Sequence, residues 1–127
     1  MEDLEVSVAI DAKKQKEIET EVERLKAGDA KLKRVFPIVV EGTEYDEKPM
    51  YVAYFKQPTF AIFSKFLSLS QKDNAVAMRS LANDCFLSGD RELITDDSLF
   101  LFGLSPYLSQ IIESRHGQLV NLSKAGK

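Results

Sequence analysis

The sequence predicts an α+β domain: a small β-hairpin or sheet packed against a mostly helical C-terminal half, preceded by a charged N-terminal helix. Three observations predict it. Two short apolar runs, 35–40 and 50–55, flank a polar stretch containing Gly42 and Pro49, the pattern of two strands joined by a loop. From Phe60 onward the apolar residues recur at helical spacing. The chain has 127 residues, 44% of them apolar and 29% charged, which is the composition of a globular protein and a length that supports one core.

Three segments are expected: an N-terminal arm over 1–30 made of a short strand and a charged helix, a single α+β core over 31–122, and a disordered tail over 123–127. In the arm, Leu4, Val6, Val8 and Ile10 alternate with Glu5, Ser7 and Ala9, so a one-faced strand competes with a frayed terminus. Asp11 then suits an N-cap, and Ile18, Val22 and Leu25 form a narrow apolar stripe on an otherwise charged helix. Gly28 stands where a left-handed C-cap would fall. This helix either lies on the core or serves as an arm against a partner or a second subunit.

The core opens with Val35-Phe36-Pro37-Ile38-Val39-Val40, apolar on both faces and therefore covered on both sides. Pro37 cannot donate to a ladder, which predicts an edge position or a bulge. Residues 41–49 form the hairpin loop and residues 50–56 the second strand. Thr59 caps the next helix, whose residues Phe60, Phe63, Leu67 and Ile62, Phe66, Leu69 form adjacent stripes, predicting burial over more than half its circumference. Asp73 caps a further helix. Its Met78, Leu81, Ala82, Cys85 and Phe86 follow the i, i+3, i+4, i+7, i+8 template, with Gly89 at its end. So short a connection predicts antiparallel packing of the two. Phe63, Leu67, Met78, Leu81, Cys85 and Phe86 are the expected core. Residues 83–90 then lead to a third helical pattern, which Thr95 caps. In it, 99–104 is apolar all round and is either deeply buried or docks a partner. Ser105-Pro106 predicts a kink or a fresh start, with Leu108, Ile111, Ile112, Leu119 and Leu122 continuing an apolar face.

Charge and chemistry narrow the function. A net charge of −3 argues against nucleic-acid binding, because the basic clusters 13–16 and 31–34 are each followed by acidic residues. No run reaches the roughly 20 apolar residues of a membrane span. The N-terminus is acidic rather than basic-then-apolar as in a signal peptide, and Cys85 is the single cysteine. A cytoplasmic location is expected. No catalytic set is legible. His116, the single histidine, falls near a helix end and reads as a cap or a solvated residue. Cys85 lies on an apolar stripe beside Asp84, the wrong setting for a reactive thiol. Glu41, Glu44, Asp46 and Glu47 lack the spacing of a calcium loop, and one His with one Cys makes no zinc site. No cofactor, metal site or enzymatic activity is expected.

The stretch Tyr51-Val52-Ala53-Tyr54-Phe55-Lys56-Gln57-Pro58 resembles the strand and Phe-Lys-x-Pro entry of small tail assembly chaperones of long-tailed bacteriophages and prophages. The likeness continues through Asn83-Asp84-Cys85-Phe86-Leu87-Ser88-Gly89-Asp90 and Asp96-Asp97-Ser98-Leu99-Phe100 into the closing apolar helix, covering roughly residues 34–122. The charged helix at 11–27 lies outside it. The resemblance implies a non-enzymatic protein in the cytoplasm of the bacterial host. It would bind the tape-measure protein, help tail-tube subunits polymerise and leave the finished particle. Such proteins often exist in two lengths through translational frameshifting. A client surface of apolar residues is then expected at Phe100, Phe102, Tyr107 and Ile111, with self-association a further way to protect it. The rival expectations are a structural virion component (tail-completion or head–tail connector protein), a small bacterial regulatory protein-binding module, and, for want of convergent titratable groups the least supported, an enzyme.

Overall fold

A three-stranded antiparallel sheet forms the middle layer, in the order β1-β2-β3. The computed structural model describes residues 11–112, 117–120 and 122. The expected strand at 4–10, His116 and the tail at 123–127 lie outside them. The architecture is α+β. Helix α1 (Ala12–Gly28) precedes strands β1 (Val35–Glu41) and β2 (Met50–Lys56). Helices α2 (Phe60–Ser70) and α3 (Asn74–Cys85) follow, then strand β3 (Phe86–Gly89) and two short helices, α4 (Glu92–Thr95) and α5 (Asp97–Leu99). A π-helical turn, Phe100–Leu104, runs directly into a 3₁₀ helix, Ser105–Ile111.

The hairpin forms as its sequence predicts, with Val35 opposite Lys56 and Glu41 opposite Met50. β1 is an edge strand and Pro37 sits exposed on it. In the loop, the Asp46 carboxylate accepts from the Thr43 N–H at 2.7 Å and from its hydroxyl at 3.0 Å. Alternation sorts the strands into two apolar faces. Ile38, Val40, Tyr51, Ala53 and Phe55 face the helical half. Val52 and Tyr54, with Val35, Val39 and Met50 beside them, face α1. Ile18 of α1 is buried against that second face, flanked by Val22 and Leu25. The charged helix therefore lies on the core and gives the sheet its second cover.

The helix starts are capped by side chains that hold otherwise orphan N–H groups. Asp11 accepts from Lys14, Thr59 from Ile62, and Asp73 from Ala75 and Val76. Asp96 rather than Thr95 caps α5, accepting from the Leu99 N–H at 3.0 Å. Thr95 instead donates to the Arg91 carbonyl. Gly28 is the last residue of α1 and takes no left-handed cap; the C-cap is Asp29, with φ −147°. Ser105 does not cap the 3₁₀ helix either, since its hydroxyl donates back to the Leu101 carbonyl at 2.9 Å.

Two expectations fail at the level of elements. The template that carried α3 through Phe86 stops at Cys85, and residues 86–89 pair with β2 as a third strand. Phe55 pairs with Phe86 and Tyr54 with Ser88, so Leu87 is the extra residue of a β-bulge. The Phe55 and Phe86 rings meet edge to face at 6.0 Å. The second failure is α2, in which no residue is fully buried. Phe63 is half-buried and stacks on Phe66, while Leu67 and Phe60 face outward. Of the expected core, Leu81 and Cys85 are buried and Met78 and Phe86 pack against the core from its margin.

Candidate protein-docking face

The π-helical turn divides what the sequence left open between core and surface. Leu99, Phe100 and Leu104 are buried; Leu101 is 42% and Phe102 80% exposed. A β-carbon on Gly103 would come within 2.7 Å of Val40 Cγ1, so the missing side chain lets the turn press onto β1. That contact directs Phe100 inward and leaves Phe102 outside. Along the 3₁₀ helix, Leu108 and Ile111 are fully buried and Tyr107 is 47% exposed. Of the four sequence-predicted contact residues, Phe100 and Ile111 therefore belong to the core. Phe102 and Tyr107 are on the surface. Leu119 and Leu122 are exposed and do not extend the buried face.

Leu101, next in sequence to Phe102, lines a groove of about 280 Å³ between the start of α3 and the π-helical turn, together with Ala75, Val76, Arg79, Asp97 and Phe100. Its floor is apolar. Arg79 spans it: one guanidinium nitrogen donates to Asp97 Oδ1 at 2.8 Å, and the guanidinium lies 4.9 Å from the centre of the Phe100 ring. Arg79 Nε is buried without a hydrogen-bond partner, held in place by stacking on the ring. Val76, half-exposed on the facing helix, was not singled out from the sequence. Its position three residues beyond the Asp73 cap, off the Met78–Leu81–Cys85 stripe, is the available signal.

Packing and hydrogen bonds shift the titration of Cys85, Asp90 and Glu21. Burial pushes the Cys85 thiol up to about 11, opposed by the charge of Lys56, with Asp84 adding a smaller upward effect. In this conformation the sulfur is neutral and out of reach of solvent. Partial burial alone would raise the Asp90 carboxyl. The Lys48 ammonium at 2.7 Å and the Val52 N–H at 2.8 Å outweigh it and hold the group below the ordinary carboxylate range. Asp90 thus clamps the hairpin loop and β2 to the exit of β3. Glu21 is lowered to about 2 by hydrogen bonds from Arg24 and from the Ser88 hydroxyl at 2.6 Å, against the effect of burial. This bond ties α1 to β3. Among the described residues no group of three or more His, Cys, Asp or Glu side chains is placed to hold a metal ion. None of the described helices is long and apolar enough to cross a membrane. Comparison with protein-family models, curated proteins and solved structures finds no match to this chain.

Proposed function

We propose that this chain is a non-enzymatic assembly chaperone of a phage or prophage tail, binding the tape-measure protein and assisting assembly of the tail tube. The observation that carries the reading is Phe102. A phenylalanine 80% exposed, next in sequence to a residue lining an apolar groove, is an anchor that the described residues leave uncovered. Aromatic anchors beside pockets concentrate the energy of protein interfaces. The sequence likeness over 34–122 gives the class of client, and the groove gives a place where an apolar side chain of that client would sit.

Two experiments test this. Co-expression with fragments of the tape-measure protein encoded beside it, followed by pull-down and a solubility assay, should recover a complex and keep the fragment soluble. Failure with every fragment overturns the reading. Persistence of the protein in purified finished particles would mark a structural virion component instead.

A further inference from the structure

The fold gathers positive charge at one place on an acidic protein. Lys31, Lys33 and Arg34, on the approach to β1, meet Lys56, at the end of β2, around a pocket of about 300 Å³. In sequence the first three stand apart from Lys56 and look diluted by the acids that follow them; the hairpin pairing brings them together. Lys31, Lys33 and Lys56 form no ion pair among the described residues. Arg34 stacks on Phe36, its guanidinium 4.9 Å from the ring centre. Among the described residues the acid lining the pocket is Asp29, which accepts from the Lys31 N–H at 3.0 Å.

Gln57, Pro58 and Thr59 line this pocket and also a second one, of about 290 Å³, completed by Phe60, Phe63 and Ile112. The basic pocket therefore adjoins a more apolar one across Gln57, Pro58 and Thr59, and Phe60, 89% exposed, lines the more apolar part. We infer that this two-part cleft binds an acidic, amphipathic peptide segment of a partner protein. Its Asp or Glu side chains would lie on Lys31, Lys33 and Lys56, and an adjacent Leu, Ile or Phe on Phe60, Phe63 and Ile112. Charge complementarity selects the acidic half and the apolar pocket selects its neighbour. A nucleic acid fits less well. Its phosphates would need cations continuing along a track, whereas the cations here are confined to one pocket. The cleft shares no lining residue with the groove at Leu101, so the inference stands apart from the chaperone reading.

The probe is a random peptide display library panned on the full-length protein, with single-stranded oligothymidylate titrated in parallel. The expected outcome is recovery of sequences that join Asp or Glu to a large apolar residue. Lys31 and Lys33 are exposed, as is Phe60, so the double variant K31E/K33E and Phe60→Ser should both fold, with unchanged circular dichroism. Each should weaken a selected peptide about tenfold or more, and added salt should weaken it as charge screening requires. Failure to enrich any sequence overturns the inference. So does recovery of peptides without acids, or binding that both variants leave intact. Oligothymidylate binding tighter than the selected peptides, and lost in K31E/K33E, would make the pocket a nucleic-acid site and overturn it as well.

Discussion

At Gly89 the backbone has φ +116°, and a β-carbon there would lie 2.4 Å from the Val52 carbonyl oxygen and 2.7 Å from Ala53 Cα. The glycine is needed both for the backbone angle and for the close pairing of β3 with β2. Gly89→Ala should therefore cost at least the roughly 1–3 kcal/mol of a strained backbone conformation, read as a lower midpoint in urea unfolding. A loss under about half a kcal/mol, as at an ordinary surface site, would show that β3 is not paired this way. From sequence, Gly89 reads as the end of a helix, and no local signal separates that role from this one. Glu21 gives a second prediction. Its folded pKa of about 2 lies below the ordinary 4.5, so its contribution is fully present above 4.5 and is lost as pH falls from there toward 2. Glu21→Gln should be less stable than wild type at neutral pH, and the gap should close over that acid window in parallel thermal melts. A gap unchanged between neutral pH and pH 2 would show that the carboxylate does not hold α1 to Ser88 and Arg24.

Leu81 and Phe63 occupy equivalent-looking positions on two successive apolar helices, yet their surroundings differ. Leu81 of α3 is 1% exposed and Phe63 of α2 only half-buried. Leu81→Ala should cost roughly 2–5 kcal/mol, the range for large-to-small changes in a core. Phe63→Ala should fall toward the lower end of that range, since part of its ring stays in water. Leu67→Ala should stay near half a kcal/mol. Equal losses at Leu81 and Leu67 in chemical denaturation would contradict the packing. The contrast explains what was legible. The hairpin, the helices α1, α2 and α3 and their caps at Asp11, Thr59 and Asp73 follow from local pattern and side-chain chemistry. Periodicity shows which face of a helix is apolar; it does not show whether another element covers that face, and none fully covers α2. β3 was missed because Phe86 satisfies the helical template and the sheet equally. The pairing with β2 that decides between them is non-local. The run 99–104 has no polar residue to mark its wet side, so Phe102 and Phe100 could not be told apart before the contact of Gly103 with Val40 was seen.

The whole molecule is a sheet covered on both faces, by α1 on one side and the helical half on the other, with apolar side chains left outside that second layer. The layers decide what a substitution at the proposed client surface does. Phe102 is 80% exposed and Phe100 1% exposed, two residues apart. A charge at Phe102 stays in water, so Phe102→Glu should change stability by no more than about half a kcal/mol. A carboxylate at Phe100 would be buried beside Leu104 and Leu108 in the main core, where the loss of the ring's packing and the desolvation of the charge outweigh what the Arg79 guanidinium beside it returns. Phe100→Glu should therefore fail to fold or unfold at much lower urea. Binding should separate from folding in the same pair. If the groove lined by Val76 and Leu101 receives the client, Phe102→Glu should weaken capture of a tape-measure fragment by about tenfold or more while the protein stays folded. Tyr107→Glu, on the neighbouring 3₁₀ helix, tests how far the surface extends. Full binding by a folded Phe102→Glu protein would remove this face from the client site and move the search to the cleft at Lys33 and Phe60. Loss of folding in that variant would show instead that Phe102 is covered in solution, by a second copy or by the chain itself. Sedimentation of the wild-type protein over a range of concentrations would distinguish the two: a mass that rises toward a dimer identifies the second copy, and a constant monomer mass identifies the chain.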